Sequence, residues 1–369
     1  MKVLKSIKYY EPSKGGIESV AKNLIEGVNL VKPDINFTVY CNNHELKNKI
    51  KIETYRSNLQ IIRSPTPIFI KSQPISFNFS NFSKYLADND IIHHHYPYPT
   101  MELSLLKNSK ILKSKKLIVT WHANIENSRW AFIKNIYDPM IKRLLNYANH
   151  IVITSPQIFE YSNVLKDYEK KIRIIPLSFT PKIKISPKSK VLNKPVKLLF
   201  VGKLREYKGL RYLIEAMKLV ENAELNIIGT GEEKDYLLEL TKKLSLNNRI
   251  NFLGYVSDDQ LESYYQNSNL FILPSINEAE AFGVVQLEAL SHGIPVINTS
   301  LKSGVPFVSK HNETGITVPP ANTIKLAEAI NKIIGDPILY SSLSKNCYER
   351  AKKFSNDKMV QSYLDLYND

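Results

Sequence analysis

Two carboxylates eight positions apart, Glu280 and Glu288, bracket the run Ala-Phe-Gly-Val-Val-Gln-Leu, and the segment closes on Gly293-Ile-Pro-Val. Val284, Val285, Leu287 and Leu290 recur at helical spacing between Phe282 and His292, and Glu288 stands four after Val284 and three after Val285, on their face. A carboxylate at such a core position costs on the order of several kcal/mol if buried unpaired, comparable to a domain's net stability. Glu288 therefore requires hydrogen-bond donors from the protein or from a ligand, and ligand hydroxyls would serve.

A second chemistry-bearing stretch, Leu198-Leu-Phe-Val-Gly202-Lys203-Leu-Arg205-Glu-Tyr-Lys208-Gly209-Leu, reads as a buried strand, a basic loop and a helix beginning near Tyr212. Three cations at the carboxyl end of a strand suit a diphosphate, and can neutralise charge developing on a leaving phosphate. The same loop read alone is a solvated basic turn; its pairing with Glu280 and Glu288 favours the former reading. Gly15-Gly16, after a short first strand, opens a helix and brings backbone amides close to a phosphate or sugar, or forms a plain tight turn. Asn298-Thr-Ser-Leu-Lys-Ser303-Gly304-Val-Pro offers free amides and hydroxyls after a strand, either a second phosphate cradle or a polar turn. Ile227-Ile-Gly229-Thr-Gly231-Glu is half of a dinucleotide fingerprint and lacks the third glycine in register.

His93, His94 and His95 alternate between the faces of a strand, so they cannot all hold one metal; a structural or cleft-edge role fits them. His122 follows the strand Leu117–Trp121 and precedes Asn124, Glu126 and Asn127, a placement equally suited to a core or a functional histidine. Asp88-Asn-Asp90 comes before a strand and reads as a turn, not a metal pair.

The elements that must position these residues are short β-rich runs alternating with helical patterns: Ile35–Tyr40, Ile91–His95, Leu117–Trp121, Ile151–Ser155, Lys197–Val201, Glu224–Ile228, Asn251–Leu253, Leu270–Leu273 and Val296–Asn298. Strands separated by helices predict an α/β protein with doubly wound parallel sheets, its site built from loops that follow strands. The Pro-, Lys- and Ser-rich stretch 178–196 predicts an interdomain linker, and Ile338–Tyr367 one last helical stretch that packs on both domains.

The chain has 369 residues and a net charge of +15, so an acidic partner is expected: nucleic acid, an anionic membrane surface or a phosphorylated substrate. Lysines spread along the whole chain, without zinc-finger spacing, an RNA-recognition signature or an Arg-rich tail, speak against nucleic acid. An AT-rich genome gives the same lysine-rich composition with no partner at all. Only Cys41 and Cys347 are present, which fits a reducing compartment and argues against a disulfide framework or a zinc site. No run approaches the ~20 apolar residues of a membrane span, so a cytoplasmic location is expected. The basic aromatic stretch from Ser128 to Leu145 reads as a core helix with a basic face or as a membrane-surface helix, and the one from Pro65 to Phe79 as a packed loop or an acceptor surface.

Together these residues resemble the retaining glycosyltransferases of family 4, of the bacterial polysaccharide or O-antigen type, over nearly the whole chain. The resemblance rests on Gly15-Gly16, His122, Val201-Gly202-Lys203 with Lys208-Gly209, Gly229 and Gly231, and above all the Glu280 to Glu288 element with Gly293-Ile-Pro-Val. It implies the GT-B fold, two Rossmann-like doubly wound domains, 1–180 and 181–345, facing a central cleft, with a C-terminal helix 346–369 returning to the N-terminal domain. It also implies a GDP-, dTDP- or UDP-linked sugar held mainly by the second domain. Glu280 would contact the sugar hydroxyls and Glu288 the ribose, a helical span of about 12 Å. Lys203 and Lys208 would hold the diphosphate; the family has arginine at the position of Lys203, so Arg205 stands as a substitute for the missing fork.

On this resemblance Glu280, His122, Lys208 and Lys203 form the catalytic set, and Gly16, Arg205, Gly229, Phe282, Gly283, Glu288, Ser303 and Gly304 the donor-binding set. Ser303 and Gly304 match a loop of bacterial enzymes that are often mannosyl or rhamnosyl transferases. The implied mechanism is front-face transfer with retention, without metal or cofactor, to a saccharide or lipid-linked oligosaccharide at the cytoplasmic membrane face. A nucleotide-sugar epimerase of the same fold would not predict the Glu280 to Glu288 spacing, and a phosphorylase would need a cofactor lysine and a longer chain. A non-catalytic polysaccharide-binding subunit would have lost Lys203, Lys208, Glu280 or Glu288; slow donor hydrolysis separates it from a transferase.

Overall fold

The computed structural model describes residues 1–13, 15–43, 50–70, 73–76, 82–124, 134–179 and 192–369. They gather into two units, Met1–Ser178 with Asn356–Asp369, and Phe179–Ser355. Residues 180–191, which hold the expected boundary and most of the expected linker, lie outside the described residues. So do Glu126, Asn127, 128–133 of the basic aromatic stretch, and 71–72 and 77–79 of the stretch beginning at Pro65.

The first unit contains β1 (Lys2–Ser6), β2 (Asn36–Asn42), β3 (Lys51–Arg56), β4 (Leu59–Ser64), β5 (Ile68–Ile70), β6 (Gln73–Ile75), β7 (Ile91–Tyr96), β8 (Lys116–Trp121), β9 (His150–Ile153) and β10 (Ile172–Ile174). Eight of them form one sheet in the order β10-β9-β8-β7-β1-β2-β4-β3, and β5 pairs with β6 apart from it. The expectation of wholly parallel sheets needs correction at the edge, where β3 runs antiparallel to β4 through the turn at Ser57 and Asn58. β3 is exposed along most of its length, so it needs no crossover helix to cover it. β1 leads to β2 on one side and has β7 on the other, which makes β1/β7 the switch point of this sheet.

In the second unit β11 (Val196–Val201), β12 (Ala223–Ile228), β13 (Ile250–Gly254), β14 (Leu270–Ile272), β15 (Val296–Thr299) and β16 (Gly315–Val318) form an all-parallel sheet ordered β13-β12-β11-β14-β15-β16. Covered on both faces, its strands read as near-continuous apolar runs. Phe200, Leu225, Leu270 and Ile297 are each 0% exposed, worth about 1.5–3 kcal/mol apiece in removal from water. Here the order reverses between β11 and β14.

The helical stretch expected from Ile338 to Tyr367 is two helices, Pro337–Ala351 and Asn356–Asn368, separated by the 3₁₀ turn Lys352–Phe354 and extended Ser355. The chain re-enters the first unit at Asn356 and not at 346, because the earlier helix is fastened within the second unit. Ser344 Oγ donates to Gly293 O at 2.6 Å, Arg350 donates to Val308 O at 3.2 Å, and Phe354 meets Phe282 and Phe307 edge-on. The later helix buries Met359, Val360, Tyr363 and Tyr367 in the first unit.

Candidate active site

The loops that leave β11 and β14 emerge at the carboxyl ends of the strands flanking the switch point of the second sheet, where ligands of open α/β sheets bind. They bring Lys208 and Glu280 together. The Lys208 ammonium donates to Glu280 Oε2, which also accepts from Ser275 Oγ at 3.0 Å. The two residues are 7% and 8% exposed. Desolvation works against the lysine's charge, but the charge and hydrogen bond of Glu280 outweigh it and hold Lys208 above the ordinary lysine pKa. Two residues expected on separate parts of a donor, diphosphate and sugar, are in this structure partners of each other.

The Glu280 loop is tied down on several sides. Ile276 N donates to Tyr207 O at 2.8 Å, Thr299 Oγ1 to Ser275 O at 2.6 Å, and Gly304 N to Ala281 O at 2.7 Å. The last bond corrects the expectation of a free phosphate-binding amide at Gly304, which instead fastens this loop. Ser303 is buried, and its Oγ accepts from Val305 N at 3.4 Å. Phe282 is buried, and Gly283 has φ of 71°, a left-handed turn in which an added Cβ would lie 2.7 Å from a Leu273 methyl.

The helix begins only after that turn, at Val285. Glu280 precedes it, so helical rise does not set the separation of the two carboxylates. The core face of the helix is Gln286, Leu287, Ala289 and Leu290, whereas Val284, Val285 and Glu288 are half-buried. The core position expected for Glu288 belongs to Gln286, whose Oε1 accepts from Asn298 Nδ2 at 2.9 Å. On its own side Glu288 Oε2 accepts from Tyr265 OH at 2.7 Å. Desolvation raises the Glu288 pKa and the Tyr265 bond partly offsets the rise. Beside them His292 Nε2 lies 2.7 Å from Glu262 Oε1.

Of the other basic residues Lys203 is exposed, and Arg205 is half-buried with its Nε 3.5 Å from Glu232. The helix after this loop starts at Leu210, two residues before the expected Tyr212. Gly229 lies against the same loop: a Cβ there would fall 1.8 Å from Gly202 O. The close approach of two strand ends accounts for that glycine without a nucleotide.

In the first unit Gly16 is the first residue of the helix Gly16–Val31, capped by extended Gly15. His122 stands one residue beyond β8, its amide donating to Tyr96 O at 3.2 Å. Its Nε2 is 2.9 Å from His95 Nδ1. Burial, then the electrostatic influence of Lys5 and of His94, pushes the His122 pKa down to about 3. The three consecutive histidines do alternate: His94 lies 2.8 Å from Ser6 Oγ and 3.3 Å from Glu102 on one face, while His93 and His95 share the other with His122.

Sequence reasoning left Ser275 and Tyr265 unread and gave His95 no role toward His122. Ser275 follows a strand, which is a usable signal. Tyr265 sits on the buried side of the helix Asp258–Asn267, and nothing local separates it from a core aromatic. Among the described residues no group of three His, Cys, Asp or Glu side chains is placed to hold a metal ion, and no helix is long and apolar enough to cross a membrane.

Two family models match the chain in tandem, Glycosyltransferase Family 4 over residues 14–179 and Glycosyl transferases group 1 over residues 181–354. The chain is 29% identical to D-rhamnosyltransferase WbpZ of Pseudomonas aeruginosa, over 74% of this chain and 72% of that one. It is 26% identical to O-antigen chain mannosyltransferase C of Escherichia coli, over 100% of this chain and 98% of that one. Among solved structures, Anabaena HepE in complex with UDP matches with a TM-score of 0.76 over 100% of both chains at 16% identity, a likeness of fold.

Proposed function

The chain belongs to the family 4 glycosyltransferases and is a hexosyltransferase of GT-B fold, and from this premise we propose that it moves mannose or rhamnose from a nucleotide sugar to a saccharide acceptor in polysaccharide synthesis. The observation that carries the assignment is the buried Lys208–Glu280 pair at the switch point of the second sheet, with Glu288 held by Tyr265 on the helix that follows. With Glu280 Oε2 held by Lys208 and Ser275, Oε1 is the oxygen we assign to hydroxyls of the sugar. With Glu288 Oε2 held by Tyr265, its Oε1 takes the ribose hydroxyls. Lys208, kept charged by its partner, neutralises the diphosphate as the anomeric C–O bond breaks. We assign Lys203 and Arg205 to the outer phosphate and His122 to the sugar.

In this reading the acceptor hydroxyl attacks the anomeric carbon on the face the diphosphate leaves, its proton passes to the departing phosphate oxygen, and the configuration is retained without metal or cofactor. UDP bound to HepE supports a nucleoside diphosphate leaving group, and the named activities of the two relatives support the sugar. The net charge of +15 supports a lipid-linked acceptor at an anionic membrane face.

The test is thermal stabilisation of the wild type and of Glu288→Ala by GDP, UDP and dTDP and by their mannose, glucose and rhamnose derivatives. A nucleotide at roughly 100 times its dissociation constant adds about 2.7 kcal/mol. Selective stabilisation by one base, lost in Glu288→Ala, is the expected result; no response to any of them removes the donor from the proposal.

A further inference from the structure

The parallel register of β1, β7 and β8 aligns Lys5 with His93, and His95 with Thr120, so that Lys5, His93, His95, Thr120 and His122 share one face. His93 is fixed at both ring nitrogens. Its Nε2 lies 2.7 Å from Thr120 Oγ1, and its Nδ1 lies 2.8 Å from Tyr367 OH and 3.3 Å from Lys5 Nζ. His95 lies over His93, with centroids 4.6 Å apart and planes 17° apart. It meets His122 differently: planes 12° apart, centroids 5.2 Å and an N–N contact of 2.9 Å describe two rings joined edge to edge. The nitrogens at the far ends of this pair, His95 Nε2 and His122 Nδ1, are buried and have no hydrogen-bond partner among the described residues.

One N–N contact holds one proton, and that fact locks the two rings together. Burial leaves both neutral, with pKa values well below the ordinary histidine range. If His95 Nδ1 donates, His122 must carry its proton on Nδ1 and present an N–H. If His122 Nε2 donates, its Nδ1 is a bare acceptor and His95 holds an N–H at Nε2. A buried N–H without an acceptor is rarer than an unmet lone pair. His95 lies within β7, whereas His122 lies past the end of β8, on the side of the sheet where ligands of this architecture bind. The N–H is therefore best placed on His122, where a ligand oxygen can take it.

We propose that His95 is a positioning residue for His122: through its Nδ1–H it holds the His122 ring edge-on and fixes the tautomer whose Nδ1–H donates to a hydroxyl oxygen of the donor sugar. The proposal rests on the assignment of His122 to that sugar. His93, locked by Thr120 and Tyr367, supports the His95 ring from below.

Histidine-nitrogen NMR of the full chain reads the tautomer directly, and hydrolysis of GDP-mannose, or of whichever sugar nucleotide the stabilisation panel selects, reads the function. In the wild type His122 is expected as the Nδ1–H form. His95→Asn places an amide N–H where Nδ1 stood, and is expected to keep that form and turnover within about threefold of wild type. His95→Leu is expected to let His122 revert to a mixture of tautomers and to lower kcat/KM by about 10–100-fold, the cost known for losing a group that orients a metal-bound histidine. A purely packing role for His95 would predict equal losses in both variants and unchanged His122 nitrogens, and either result overturns the proposal. Wild-type turnover in His122→Ala overturns the sugar assignment of His122 and the proposal with it. Lost turnover in His122→Ala, with unchanged His122 nitrogens in His95→Leu, overturns the role of His95 alone.

Discussion

Lys5 and Lys208 are both buried lysines, one in each unit, and they resolve the same physical problem in opposite ways. Lys208 meets Glu280 and Ser275 at a loop junction and keeps its proton more tightly than a lysine in water. Lys5, on β1, has His93 at 3.3 Å and the ring of Tyr363 at 5.8 Å. No carboxylate is paired with it among the described residues, and burial lowers its pKa to about 7. A buried ammonium is maintained by a counter-charge and not by polar surroundings, and among the described residues the second unit supplies one to its lysine and the first does not. That places permanent positive charge at the position proposed for the diphosphate and leaves the histidine face of the first unit, among the described residues, without a fixed charge.

The comparison breaks most visibly if Glu280 is removed. In Glu280→Gln, Lys208 becomes a buried charge without its partner, so the second unit should lose about 3–5 kcal/mol of stability in urea unfolding. Donor turnover should fall by about 100-fold or more, and the Lys208 amine resonance should shift toward a pKa like that of Lys5. Unchanged stability together with an unshifted amine would show that Glu280 does not hold the charge.

Next in size is the pH dependence that Lys5 imposes. Its folded pKa of about 7 lies below the value of 10.5 for a free lysine, so between these limits the unfolded chain binds a proton that the folded chain lacks. Stability contributed this way is present above the unfolded value and is lost as pH falls toward 7, with a slope of up to about 1.4 kcal/mol per pH unit. Lys5→Met should flatten unfolding free energy between pH 7 and 10 and leave stability at pH 7 equal or higher; an identical slope in the two proteins would mean that Lys5 stays charged. The smallest effect belongs to Tyr265→Phe, which removes one donor from Glu288. A loss of about 1 kcal/mol in stability and a several-fold weaker nucleotide response in the stabilisation panel are expected, and an unaltered panel would detach Tyr265 from the donor site.

Most strands of the two large sheets were legible because parallel sheets covered on both faces are built from apolar runs, and Val196–Val201 or Leu270–Ile272 admit few other readings, whereas the short or half-apolar runs of β4, β10 and β16 went unread. β3 was not legible either, since an exposed edge strand carrying Lys51, Glu53 and Arg56 has no such signal. In the active-site segment the residue types were legible and the faces were not. Gly283, in a left-handed turn, delays the helix to Val285, which leaves Glu280 in a loop and places Gln286 where periodicity had put Glu288. The alternation of His93, His94 and His95 followed from the period of two of a strand. The contact of His95 with His122 depends on how β7 and β8 register, which no local pattern encodes.

The first unit is discontinuous in sequence, since Asn356–Asp369 belongs to it although the whole of Phe179–Ser355 intervenes. The Tyr363 and Tyr367 hydroxyls that bond Thr120 and His93 therefore emerge from the ribosome only after the second unit has been made. Until then the face bearing Lys5 and His93 lacks its cover, so the unit whose synthesis begins first completes its packing last. A nascent chain whose residues up to Ser355 had left the ribosome, with Asn356–Asp369 still inside it, would hold a finished second unit and a first unit whose polar face is still open to water.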